Sequence, residues 1–316
     1  MKILPSKHFC RRSNPGLTIS AFVLTELLVV IVMIAILAVV FMPILSSVRT
    51  GSKLASCANN LRQLGLGCNV YAAENSDSLP ILDWPQIDNP WETSQACRVT
   101  GIPSSTINQG PYNFAPLYFS SIVQNPLTFY CPAVSQGDIY AYSSYTGPGY
   151  PWPSIPPSFT QFGEGNAYVR TGYNYYPQSR QTQSLSDAYG TFTLPALIYA
   201  NGNGVTITFN PPGAPPNAIN HEPTPLKITQ VNLNKAMGVD QLTQWALIQH
   251  DYRGQAYGVN AVFPDGHVSF QPVNGNNKRG STRPFDPDLW DPFDNGGQGP
   301  SEDPDGFRII MNGFQP

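Results

Sequence analysis

Residues 249–270 read QHDYRGQAYGVNAVFPDGHVSF and bring His250, Asp265 and His267 into one short stretch. Imidazole and carboxylate suit zinc, and three such ligands with a water would make a catalytic centre. Asp265 and His267, however, flank Gly266 in Pro264-Asp265-Gly266. In such a turn Pro presets φ, Asp bonds the backbone and Gly accepts positive φ. GVNAVF and HVSF on either side read as strands, so the block is a hairpin in which Asp265 and His267 have local structural uses. No metal ligand and no catalytic residue is assigned here.

A second group of oxygens, Asp286, Asp288, Asp291 and Asp294 in DPDLWDPFDNGG, suggests calcium. Their spacing is not that of an EF-hand loop, and an exposed acidic loop is the better reading. Nucleophile elbows, phosphate loops, zinc-protease helices and dinucleotide fingerprints are absent from the sequence. An enzyme is not expected, and neither is a cofactor.

One carboxylate is out of place. Glu26 is the only ionisable group in the 24 residues from Phe22 to Leu45. A charged side chain in lipid costs roughly 2.5–3.5 kcal/mol at a helix centre on insertion scales, so such an acid is a functional hypothesis by default. Either Glu26 reaches cytoplasmic headgroups, or it waits for a cation brought by another molecule.

The elements that would position these groups follow from patterning. About 20 apolar residues suffice to cross a bilayer as a helix, and the run is too long for a signal-peptide core of roughly 7–15 residues. Residues 1–21 hold Lys2, Lys7, Arg11 and Arg12 and no acid. By the positive-inside rule the N-terminus stays cytoplasmic and the rest is exported from a single inner-membrane span. The remainder carries 13 basic and 20 acidic side chains, a formal charge near −7, which disfavours a nucleic-acid partner.

Leu54, Cys57, Leu61, Leu64, Cys68 and Tyr71 recur at helical spacing, so one helix is predicted from Phe22 to about Asn75. Pro43 should kink it. Gly65 and Gly67 lower its propensity, although close packing against a sheet can want small residues there. NSDSLP, residues 75–80, ends it.

Downstream, FAPLYF, LTFYCP, AYVRTGYNYY, TFTLPALIYA, VTITF, QWALIQH, GVNAVF and HVSF read as strands between turns. The proline-dense YPWPSIPPSF and NPPGAPPNAIN read as loops outside the core, and FRIIM as a short strand or turn. Trp84, Trp91, Trp152 and Tyr173 to Tyr176 can line a glycan-binding face, but aromatic-rich strands are more often core. The fold class is α+β: a long N-terminal helix on an antiparallel β-sheet head with long loops. Its divisions are a basic leader 1–21, a membrane half-helix 22–45, an exported amphipathic half 46–75 and a β-rich head 76–316.

Cys57, Cys68, Cys97 and Cys131 lie in the exported part, where disulfides persist. On a helix Cys57 and Cys68 are about 16 Å apart, beyond bridging distance. Full pairings then join each of them to Cys97 or Cys131. A lone Cys97–Cys131 bridge or buried thiols also fit.

AFVLTELLVVIVMIAILAVVFMPIL resembles the N-terminus of type IV prepilins and type II secretion pseudopilins, usually G-F-T-L-I-E-L-L-V-V-I followed by more apolar residues and a proline. Ala21 matches the residue before the cut, Phe22 the first mature residue, Glu26 the mature fifth and Pro43 the twenty-second. Ala21 replaces the commoner Gly, and Thr25 an apolar residue. The resemblance implies cleavage between Ala21 and Phe22 by a prepilin peptidase, N-methylation of Phe22, and pairing of Glu26 with the new terminal amine of a neighbouring subunit.

GVNAVFPDGHV resembles the His-X(9)-Asp-Gly signature that ends a large group of prepilin-like proteins, with Asn260, Asp265, Gly266 and His267 in register. His250 stands where its leading His would, with 14 residues rather than nine before Asp265. SCANNLRQLGLGCNVYAAENSDSLP resembles that group's post-membrane helix, and LTFYCPAVS its F-x-C-P segment, which implies Cys131 as the mate of Cys57. The expectation is a structural pseudopilin or minor pilin-like subunit whose partners are the prepilin peptidase, other pilin-like subunits and the inner membrane. The alternative is an envelope adhesin or glycan binder on a pilin-like anchor.

Overall fold

The computed structural model describes residues 24–83, 90–159, 168–187, 190–195, 198–200, 206–208, 225–242, 248, 250–252, 255–273, 284–285 and 304–316. Ala21, Phe22 and the acidic Asp286, Asp288, Asp291 and Asp294 lie outside them. The chain forms two compact units, residues 1–48 and 49–316. Both contribute to one helix, α1 (Leu24–Glu74).

In the first unit α1 carries Glu26 in its opening turn, where a carboxylate meets the positive end of the helix dipole. The large apolar side chains described from Leu24 to Val39 are 46–79 % exposed. Among the described residues no helix is long and apolar enough to cross a membrane. This corrects the single-pass inner-membrane placement expected from residues 22–45.

In the second unit the helical stripe is the face that packs. Cys57, Leu61, Leu64 and Cys68 are fully buried and Tyr71 lies against the same core. Off the stripe, Asn60 Nδ2 donates to the Tyr130 carbonyl and Asn69 Nδ2 to that of Pro264, each at 3.0 Å. Gly65 allows closer approach than any other residue would, since a Cβ there would sit 2.5 Å from Val262 Cγ2. Ser76 and Asp77, at φ 55° and 64°, end the helix in the left-handed region. The Asp77 amide donates back to the Ala72 carbonyl at 2.8 Å.

The fold class is α+β, with every described strand pair antiparallel. Strands β1 (Gln95–Val99), β2 (Ile107–Gln109) and β3 (Tyr168–Arg170) form a sheet in the order β2-β1-β3. β5 (Thr182–Asp187) pairs with β6 (Gly190–Pro195), and β7 (Ile198–Ala200) with β8 (Thr206–Thr208). A further sheet joins β4 (Tyr173–Tyr175), β9 (Gly238–Asp240), β10 (His250–Tyr252), β11 (Gln255–Val262) and β12 (Val268–Pro272). β11 is central: β12 takes one edge from Gly258 to Val262, so β9 and β10 share the other.

Four expectations are corrected. FAPLYF contains a one-turn helix, α2 (Pro116–Phe119), and LTFYCP a 3-10 helix, Pro126–Phe129. Each places a proline at its start, where the missing N–H costs nothing. FRIIM is helical, within α3 (Pro304–Gly313). Phe307 to Met311 are all buried, with Phe314 just beyond, so this helix is core on every side and not on one face. YPWPSIPPSF is core: Trp152, Ile155 and Phe159 are buried, Trp152 stacks on Phe129 at 5.4 Å, and its Nε1 donates to the Tyr130 hydroxyl at 2.6 Å. Proline-rich backbone has fewer N–H groups to satisfy, and Ile155 exchanges both backbone hydrogen bonds with Ser104, at 2.8 and 2.9 Å.

Candidate functional site

Register along the shared edge of β11 decides where the chemistry gathers. Val239 lies opposite Ala261, which puts Asp240 beside Asn260, and His250 lies opposite Gly258. The ends of β9 and β10 therefore converge on Asn260. Asp240 Oδ2 accepts from the Asn260 backbone N–H at 2.6 Å and from its Nδ2 at 3.0 Å. His250 Nε2 stands 3.0 Å from the same oxygen. A carboxylate accepts only, which assigns the Nε2 proton to the imidazole and the bond to Asp240. Asn260 Nδ2 is 3.2 Å from that nitrogen.

The helix reaches the same point through its disulfide. Cys57 of α1 is bonded to Cys131 with their Cα atoms 5.0 Å apart, and Cys131 Sγ lies 3.8 Å from His250 Nε2. Cys57, Cys131, Asp240 and His250 each offer one ligand-type atom, all within 4.8 Å of one another and all buried. Asp240 Oδ1 accepts no hydrogen bond among the described residues, and a buried acceptor left so requires a reason.

Cys68 and Cys97 are buried thiols. Burial pushes the Cys97 thiol up to about 12 and that of Cys68 up as well, so neither is a reactive thiolate.

Asp265 and His267 belong elsewhere. The turn sets Gly266 at φ +85°, in the left-handed region that favours glycine, and a Cβ there would sit 2.6 Å from Leu66 Cδ2. Asp265 Oδ1 accepts from the His267 backbone N–H at 3.0 Å and from His267 Nδ1 at 2.5 Å. The His267 ring stacks on Phe263 at 4.5 Å. Partial burial raises the Asp265 carboxyl, but these hydrogen bonds and the imidazole charge outweigh it and hold the group below its ordinary value. His250 and Asp265 are thus not brought together: one lies in the core, the other on an exposed turn.

Another buried cluster carries acids. Arg98 reaches Asp83 Oδ2 at 3.7 Å and Glu92 Oε1 at 3.6 Å, and its guanidinium lies 5.2 Å over the Tyr168 ring. Burial lifts Asp83 to about 6 and Glu92 to about 7, with the Asp83 charge adding to the rise at Glu92 and Arg98 opposing both. Both carboxyls therefore keep their protons to a higher pH than exposed acids do.

Sequence reasoning missed Asp240, Asp83 and Glu92. Asp240 left one trace, an acid inside the apolar stretch AMGVDQL, the same anomaly that marks Glu26. The tyrosines Tyr173, Tyr175 and Tyr176, and Trp152, are core and not an open face. Pro43 lies within α1, whose helical backbone continues through it. No protein-family model matches the chain, and neither a curated protein nor a solved structure matches it.

Proposed function

We propose that this chain is a structural subunit of the pseudopilin or minor-pilin kind, cut between Ala21 and Phe22 by a prepilin peptidase, methylated on Phe22 and assembled with other pilin-like subunits. The supporting observation is the exposure of the large apolar side chains from Leu24 to Val39. A helix apolar on all sides is stable in water only when something covers it. The occupants proposed are the equivalent helices of neighbouring subunits, because a bundle of such helices covers every side at once.

Glu26 gives that packing a register. Cleavage creates an amine at Phe22, and the Glu26 of an adjoining subunit neutralises it within the apolar bundle. Removing one member of a buried ion pair costs about 3–5 kcal/mol, enough to block incorporation.

Intact mass of the chain expressed with a prepilin peptidase tests the reading. Loss of residues 1–21 with gain of one methyl group is expected, and a polypeptide still beginning at Met1 overturns it. Glu26→Gln should be cleaved normally yet fail to enter filaments.

A further inference from the structure

The geometry points to a zinc site formed by Cys57, Cys131, Asp240 and His250 when the disulfide is open. Two sulfurs, one imidazole and one carboxylate are an ordinary donor set for that ion, which takes four ligands in a tetrahedron. Bonds of about 2.0–2.3 Å set neighbouring ligand atoms roughly 3.3–3.8 Å apart. The fold already holds Cys131 Sγ at 3.8 Å and Asp240 Oδ2 at 3.0 Å from His250 Nε2. The four ligand atoms span no more than 4.8 Å. Little more than separation of the two sulfurs is required.

Three elements fix the set independently of the sulfur–sulfur bond: α1 carries Cys57, β9 carries Asp240 and β10 carries His250. Cys131 follows the 3-10 helix Pro126–Phe129. The Tyr130 carbonyl beside it is tied to Asn60 of α1 at 3.0 Å. Asn260 supplies the outer support that metal sites need, since its two N–H groups orient Asp240 through Oδ2. Oδ1, which accepts no hydrogen bond among the described residues, is the oxygen left for the ion, and the 3.0 Å from Oδ2 to His250 Nε2 shows how near that carboxylate already stands.

The chemistry balances. An external dithiol passes two electrons into the Cys57–Cys131 bond and becomes a disulfide itself, its two protons going to the two Sγ atoms. Zinc then displaces both thiol protons to solvent. The His250 proton moves from Nε2 to Nδ1 by way of solvent, freeing the Nε2 lone pair, and Asp240 binds as carboxylate. The oxidised chain is the metal-free form, because a disulfide sulfur offers no thiolate.

Cobalt(II) titration of the full-length chain reads this directly. After anaerobic reduction with a phosphine, one Co²⁺ per chain should bind with intense thiolate-to-cobalt absorption and be displaced by Zn²⁺, while the oxidised chain takes up none. His250→Gln and Asp240→Asn should each weaken binding by at least about tenfold, and Cys68→Ala/Cys97→Ala should leave it intact. Near-UV circular dichroism of the oxidised variants establishes that they fold. Zn²⁺ should also slow reoxidation of the reduced wild-type chain at least tenfold, a readout that needs no variant. Failure of the reduced wild-type chain to bind Co²⁺ through thiolate overturns the proposal. So does binding unchanged in His250→Gln and Asp240→Asn, or persisting in Cys57→Ala/Cys131→Ala.

Discussion

Asp240–His250 and Asp265–His267 are the same chemical pair placed in two surroundings. The first is closed off in the core at 3.0 Å, beside a disulfide and under an asparagine. The second sits on a turn at 2.5 Å, with its aspartate side chain 59 % exposed. The shorter contact is the weaker one energetically. Water solvates either partner of the exposed pair when the other is removed, and such pairs contribute about 0–1 kcal/mol. Inside the protein nothing replaces the lost partner, so each member depends on the other.

The largest effect should come from Asp240→Ala, which strips His250 and both Asn260 donors of their acceptor. We expect a loss of about 3–5 kcal/mol, read by urea denaturation, and a loss below 1 kcal/mol would erase the contrast between the pairs. Opening the neighbouring disulfide, which spans 74 residues, should cost about 2–5 kcal/mol in metal-free buffer, seen as a lower midpoint in the reduced chain.

A sharper comparison uses the acids around Arg98. Their folded-state values lie above the ordinary carboxylate range, so the folded chain binds more protons than the unfolded one between about pH 4 and 7. Their contribution to stability should fall as pH rises through that window. Glu92→Gln should flatten the dependence in denaturation profiles.

The smallest effect belongs to His267→Ala, at most about 1 kcal/mol. Asp265 is depressed in the folded state, so its contribution is present above the unfolded value and disappears as pH falls through the folded one. Asp265→Asn should remove that acid limb alone.

Legibility in the sequence follows the range of the signal. The stripe Leu54 to Tyr71 and the turn Pro264-Asp265-Gly266 are local patterns, and the helix and hairpin they imply are where the patterns put them. The resemblance sets His250 and Asp265 in one signature, yet the turn gives Asp265 a local use and leaves His250 without a named partner. The actual partner, Asp240, is chosen by which strands share an edge of β11, and no spacing along the chain encodes that. Segments such as FAPLYF and FRIIM were misread for another reason. Four or five apolar residues fit either period, and only the face they bury decides. Trp152 and Ile155 were hidden by prolines, which signal irregular backbone and say nothing of depth.

The covalent link from Cys57 to Cys131 also has a mechanical meaning. A pull along α1 is carried straight into the chain beyond the 3-10 helix Pro126–Phe129, as a rivet carries shear. With that link cut, the same tension falls on weaker fastenings, the amides of Asn60 and Asn69 among them, and the strut can peel from its seat.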